Sequence, residues 1–359
     1  MAGAELSGRS DAVWSEQGTT PDAIEAALRS LLVQVHGEND DSLPARVLNM
    51  IAFVDREWTG EIANRLRGVG RYHASRLVVL AYEPRRERLD ARVMIVTESA
   101  SAPGELALLH ETVVVELGDR HLDDLLTIAD PLVVTDLPTL LWSPHGHHEI
   151  VGELLALSQA VLLDSVDEPV ARAALDRACE LSKQAYVVDL AWLRSTPWRE
   201  RVAASFDPAW LRRELRMISG LKVRHHPEST AAATLLVGWL ASRLDWHTEA
   251  LAADGDALVS SIHAGDHDVA IRLEAAPELQ VPGLESLTLQ TASGLQLRLG
   301  RGAGGLRAHR RDSGGDEQEW TILGASRGEQ GVLGEGIRQA LLRDPTYVPA
   351  LQAARTMLA

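Results

Sequence analysis

A chain of 359 residues exceeds the usual size of one domain, and with 45% hydrophobic side chains it can bury a core in each of two. Its 51 acidic against 35 basic residues leave a net charge of -16, which repels phosphate backbones and anionic lipid and argues against nucleic acid or a membrane surface as a partner. The single cysteine, Cys179, excludes an internal disulfide and a cysteine-rich metal cage, and fits a reducing compartment.

The first stretch, "MAGAELSGRSDAVWSEQG", has no basic start followed by an apolar run, so no signal peptide is expected, and residues 1–19 read as a loose, flexible tail. Thr20 then caps a helix with Pro21 at its first position and an apolar stripe of Ile24, Leu28, Leu31, Leu32 and Val35. Strands follow at 46–55, 75–83, 91–98, 111–117, 138–142 and 160–165, with helices at 58–70, 121–132 and 149–158. Continuous apolar strands between helices predict an α/β sheet domain over 20–168, with the sheet covered on both faces.

A boundary is expected near "SVDEPV" (165–170), where acids and a proline follow a completed strand. Beyond it the pattern gives a helix at 169–184, a strand at 186–192, a helix at 197–206, a strand at 218–226 and a long helix at 229–246. Short alternating segments at 257–263, 267–274, 284–299, 306–311 and 318–324 then read as antiparallel hairpins, and two helices, 329–342 and 346–358, close the chain. The fold expected is therefore α/β: an N-terminal α/β sheet domain followed by an α+β domain over 169–359 that ends in hairpins and two helices. The longest apolar stretch, 231–241, is too short to cross a bilayer, so a soluble, cytoplasmic protein is expected.

No catalytic constellation, metal site or cofactor loop emerges. His145, His147, His148 and Glu149 crowd one loop, but without helical HExxH spacing or a cysteine they read as a solvated loop opening a helix. His225 and His226 are adjacent on a strand and so point to opposite faces. "GRGAGG" (300–305) matches GxGxxG formally, yet strand-like sequence flanks it on both sides, so it reads as a hairpin turn instead of a phosphate loop. No GK[ST] loop and no GxSxG elbow is present. Asp136, Asp164 and Asp189 lie beside or inside apolar strands, where acids cap backbone groups or pair with arginine. Arg243 falls within the apolar arc of the long helix and reads as a paired or snorkelling side chain.

The densest motif is "DLAWLRSTPWRERVAASFD" (189–207). Alternation along 186–194 predicts a central strand carrying Trp192 into the core. Thr196 is expected to cap the next helix, with Pro197 first, and Trp198, Val202 and Phe206 recur every four residues along its buried face. Asp189, Trp192 and Trp198 are thus assigned to the frame. Arg199 falls in a first helical turn, where the dipole disfavours a cation, so something negative is expected near Arg194, Thr196, Arg199 and Arg201. An internal carboxylate such as Asp189, a bound anion such as phosphate, or an acidic surface on another protein would each serve. These four residues are the candidate partner- or anion-binding set.

With "HASRLVVL" (73–80), "DPLVVTDLPTLLW" (130–142), "LLDS" (162–165) and "LLVGWLASRLDW" (235–246), in that order, this motif resembles the glucose-6-phosphate dehydrogenase assembly protein family, OpcA, of cyanobacteria and actinobacteria. The resemblance covers most of 43–250. It implies a two-domain α/β protein without catalysis of its own, which binds glucose-6-phosphate dehydrogenase and promotes its active oligomeric form. Some cyanobacterial members are linked to redox control through cysteines, and a chain with Cys179 alone departs from that pattern. The competing reading is a sensor or enzyme for a phosphorylated sugar or nucleotide, built on the strand-to-helix turn at Arg194, Thr196 and Arg199.

Overall fold

The computed structural model describes residues 9–38, 46–70, 74–98, 108–323 and 328–359. The chain divides into two compact units. One comprises Met1–Leu163, Gln184–Val187 and Leu333–Leu341, and the other Asp164–Lys183, Val188–Val332 and Leu342–Ala359. Among the described residues, no helix is long and apolar enough to cross a membrane.

The first eight strands form one sheet. In chain order the elements are β1 (Arg9–Glu16), α1 (Pro21–Glu38), β2 (Leu48–Asp55), α2 (Thr59–Gly70), β3 (Ser75–Tyr82), β4 (Asp90–Glu98), β5 (Leu108–Leu117), α3 (Leu125–Ala129), β6 (Thr139–Trp142), α4 (His148–Leu154), β7 (Ala160–Leu163), α5 (Ala171–Leu181) and β8 (Tyr186–Asp189). The strand order is β1-β4-β5-β3-β2-β6-β7-β8. Strands β5, β3, β2, β6 and β7 run parallel, while β4 joins β5 and β1 joins β4 antiparallel. Residues Leu48–Val54 of β2 and Leu77–Ala81 of β3 are buried without a break, as expected for central strands covered on both faces. The chain winds outward from β2 to β5, then restarts beside β2 with β6, so the order switches direction between β2 and β6.

Polar staples hold loops to this sheet. The buried Asn49 amide donates to the carbonyls of Val134 (2.9 Å) and Leu137 (3.3 Å), and its oxygen accepts from Val134 N (2.9 Å). Arg76 pairs with buried Glu111 (2.7 Å) and donates to Leu132 O (3.2 Å), while Arg46 takes the other Glu111 oxygen. These contacts pin the "DPLVVTDLP" segment, so its chemistry is architectural.

The second sheet has β9 (Ile218–His225) at its centre. The intervening helices are α6 (Leu190–Arg194) and α7 (Thr196–Ser205), and the later elements are α8 (Thr230–Leu244), β10 (Ala252–Asp254), β11 (Ala257–Ala264), β12 (His267–Ala275), β13 (Leu284–Thr291), β14 (Gln296–Gly302), β15 (Gly305–Arg311), β16 (Glu317–Leu323), α9 (Gly328–Leu342) and α10 (Tyr347–Met357). The order is β10-β11-β12-β9-β13-β14-β15-β16, with β9 parallel to β12 and antiparallel to β13. One face buries Leu221, Val223, Ile271, Leu287, Leu289 and Leu299, with α8 against it, and the other carries ion pairs such as Lys222–Glu274 (2.7 Å). Helix α10 packs on α8 at Gly238, where a Cβ would lie 2.3 Å from Ala350 O.

Four local expectations are corrected. Residues Arg9–Glu16, placed in a loose tail, form β1, because their partner β4 offers an open edge that sequence alone does not reveal. The expected strand through Trp192 stops at Asp189, whose carboxylate accepts the Ala191 N–H (2.9 Å) and turns the chain into α6, and β8 stands last in the sheet order, not centrally. The expected helix at 121–132 breaks into short 3-10 and α segments around α3, and 284–299 is two strands around a turn. "GRGAGG" is the turn between β14 and β15, with Gly304 at φ 77°.

Candidate functional site

The structure joins two stretches that the sequence presents apart: "LLDS" and the motif from Asp189 to Arg199. Asp189 is buried and accepts four hydrogen bonds, from Ser165 Oγ (2.5 Å), Ser165 N (3.1 Å), Ala191 N (2.9 Å) and Tyr347 Oη (3.1 Å). Burial, and then the charge of nearby Asp164, push its carboxyl up to about 6 despite those donors. Asp164 in turn takes Arg194 Nη1 at 2.5 Å. Asp189 is therefore not the acid that answers the arginines. It caps α6, and Asp164 neutralises Arg194.

Trp192 lies on α6, one turn beyond the cap, and its indole N–H donates to Asp344 Oδ2 (2.9 Å) while its ring sits 5.5 Å from that of Tyr347. The Arg199 guanidinium carbon stands over the same indole, 3.4 Å from the ring centroid. Its guanidinium donates to Trp192 O (3.1 Å), Thr196 Oγ1 (2.9 Å) and Ser195 Oγ (3.2 Å), and Asp344 stands 3.8 Å away. Burial pulls Arg199 down to about 10, with Asp344 opposing. Asp344 itself is held below the ordinary carboxylate range: burial raises it, but hydrogen bonds from Thr346 and Trp192 and the charge of Arg199 outweigh burial.

Arg199, expected to face a partner or a free anion, is only 8% exposed, and the structure packs it inside the motif against Trp192, Thr196 and Ser195. Thr196 is its acceptor and the first residue of α7, with Ser195 at the cap position; the Ser195 hydroxyl is diverted to Trp192 O (2.7 Å). Arg194 is half-buried against Asp164. Arg201 is half-buried on α7, with no ion pair among the described residues. Trp192 and Trp198 are both buried, as the frame assignment requires. Ser165, Asp344 and Tyr347 were not singled out from sequence. The only local hint is the "RDPTY" segment, an Asp-Pro-Thr run of the kind that opens a helix.

The other candidate clusters do not assemble. In the first unit His147 adopts a left-handed backbone (φ 55°) and turns its Nε2 to Asp55 (3.0 Å), with its ring edge-on to Phe53 and Tyr82. His145 packs instead on Trp58, 5.1 Å between rings. His225 is buried and its Nδ1 contacts His226 O (2.8 Å), and Arg243 is exposed. Among the described residues no three His, Cys, Asp or Glu side chains gather as a metal-binding group. At the carboxyl end of β2, beside the switch in strand order, the turn into α2 reads Asp55-Arg56-Glu57-Trp58-Thr59-Gly60 and lacks a glycine-rich loop.

Two models of one family, the glucose-6-phosphate dehydrogenase subunit, match the chain. Its N-terminal domain matches residues 67–180, and its C-terminal domain matches residues 185–351. A protein of Nostoc punctiforme named as the OxPP cycle protein OpcA is 31% identical over 137 residues, 37% of this chain and 30% of that protein. Its namesake in Synechococcus elongatus is 25% identical over 171 residues, 46% of this chain and 38% of that protein, so the chain spans well under half the length of these relatives. Of solved structures, an oxidoreductase domain protein from Kribbella flavida aligns over 86% of this chain and 94% of its own, at 12% identity and a TM-score of 0.47, a likeness too low to bear on chemistry.

Proposed function

The chain belongs to the glucose-6-phosphate dehydrogenase assembly family, OpcA, and on that premise we propose that it is a non-catalytic assembly factor that binds glucose-6-phosphate dehydrogenase and favours its active oligomeric form. Its setting under this reading is the cytoplasmic oxidative pentose phosphate pathway. The observation that carries the non-catalytic part is the turn after β2. A dinucleotide needs glycines there, so that its pyrophosphate can approach the backbone at a helix N-terminus. Here Asp55, Glu57 and Glu61 bring negative charge to the start of α2, and Trp58 brings bulk. The rival sugar-phosphate reading would need Arg199 to leave Asp344, Thr196 and the Trp192 ring.

A binder alters an enzyme's state by preferring it, and a preference of about 1.4 kcal/mol shifts the ratio of two states roughly tenfold. The test titrates purified dehydrogenase with this protein while following NADP reduction and, by mass photometry, oligomer size. Activity should rise with the larger species, and the protein alone should reduce no NADP. Reduction of NADP by the protein alone, or an oligomer distribution unmoved at saturation, overturns the reading. Calorimetric binding of glucose 6-phosphate to the isolated protein would favour the sensor instead.

A further inference from the structure

We infer that the turn carrying Trp210, Arg212, Arg213 and Arg216, with Arg310 beside it, is the docking surface of this protein, and that its occupant is an acidic protein surface. The inference rests on the assembly reading, which makes that occupant a surface of the dehydrogenase.

Burial sets this turn apart. Downstream of the motif's frame, Trp210 is 56% exposed, whereas Trp192 and Trp198 are buried. The only ring partner it has among the described residues is Arg310, whose guanidinium lies 5.2 Å from the ring centroid. Its exposure does not come from a loose loop. Leu211 is buried, and buried Glu214 accepts from the hydroxyls of Thr291 (3.0 Å) and Ser293 (2.5 Å), so two inward side chains three residues apart clamp the 3-10 turn Arg212–Met217 to the end of β13. A 3-10 turn eclipses residues i and i+3, which sets Arg213 and Arg216 on one edge. Arg213 is 79% exposed with only a 3.7 Å approach to Glu214, and Arg212 and Arg216 are exposed as well.

An exposed tryptophan with one arginine against its ring and further exposed arginines along the adjoining clamped turn is the composition that concentrates binding energy at interfaces, and the clamp means little ordering cost on association. Charge selects the occupant. The molecule as a whole carries -16, so a local run of exposed arginines, with the Glu214 carboxylate among them committed inward to Thr291 and Ser293, meets an acidic partner favourably while the remaining surface repels it. That combination gives orientation as well as attraction.

The experiment compares the wild type, the triple variant W210A/R213E/R216E, R216A alone and R29E, a control at an exposed arginine of α1, by biolayer interferometry against purified dehydrogenase together with thermal melting and retention on heparin. The triple variant should melt as the wild type does and bind about thirtyfold or more weakly, with R29E unchanged. Wild-type affinity should fall between about 50 and about 300 mM salt, and the variant's should fall less. R216A removes one exposed charge and no packing, so a measurable loss in it supports the surface even if the triple variant melts early. A folded triple variant that binds normally, an equal loss in R29E, or loss of heparin retention with dehydrogenase binding intact would each overturn the inference and leave the assembly reading standing. A wild type that does not bind the dehydrogenase would sink the assembly reading itself.

Discussion

Asp189 shows what one buried carboxyl does in this frame. Its four donors fix the strand-to-helix turn, yet burial and the charge of Asp164 hold its pKa at about 6, against 3.8 ordinarily. The folded state therefore binds this proton more tightly than the unfolded chain does. The stabilisation from that proton is fully present below about 3.8 and is lost as pH rises through about 6, a change of roughly 3 kcal/mol. Asparagine keeps the shape, and the Ser165 and Tyr347 hydroxyls can rotate to accept from it. In urea unfolding at pH 4 and pH 7, the stability difference between Asp189→Asn and wild type should move in the variant's favour by about 2 to 3 kcal/mol with rising pH. Parallel pH curves would mean that Asp189 ionises as an ordinary aspartate. The burial of Trp198 was legible in the four-residue apolar spacing of α7, whereas that of Trp192 was read from a strand alternation that the structure replaces with α6. The role of Arg199 was not, because spacing gives a residue's position on a helix and not what closes over it.

Among the elements, α10 completes the motif, since its first residue, Tyr347, reaches Asp189, and Asp344 just before it receives Trp192 and Arg199. Its seat on α8 depends on Gly238: an added Cβ would fall 2.3 Å from Ala350 O and 2.9 Å from Ala354 N, both backbone atoms that cannot rotate away. Gly238→Ala should cost on the order of 1 to 3 kcal/mol by overpacking, in spite of alanine's better helix propensity. Hydrogen exchange should then quicken in Tyr347–Met357 more than in β9. An unchanged melting temperature with α10 fully protected would show that the two helices adjust without loss. Helix α8 itself was visible as a long apolar run, and α10 as a closing helix. Invisible were β1, which depends on a distant edge, and the break at Asp189, where a cap overrides the apolar run of "YVVDLAW".

For the whole molecule, the assembly reading carries a thermodynamic obligation. If the protein favours the active form of the dehydrogenase, and substrate favours it too, each must tighten the other by the same factor. The affinity of the two proteins should rise in the presence of glucose 6-phosphate, by about tenfold for a coupling of 1.4 kcal/mol. Equal affinity with and without substrate would separate binding from activation. The sequence by itself determined an α/β fold of alternating strands and helices, the meander that follows, the buried tryptophans and the resemblance to the assembly family, because periodicity, composition and motif order are local properties. Only the tertiary structure decided which acids answer which arginines. Asp164 lies 30 residues from Arg194, and Trp192 meets an Asp344 that is 152 residues away. It also decided that Trp210, which no periodicity marks, stands in solvent. Contacts at such separations depend on how sheets and helices close upon each other, and no window of neighbouring residues contains that information.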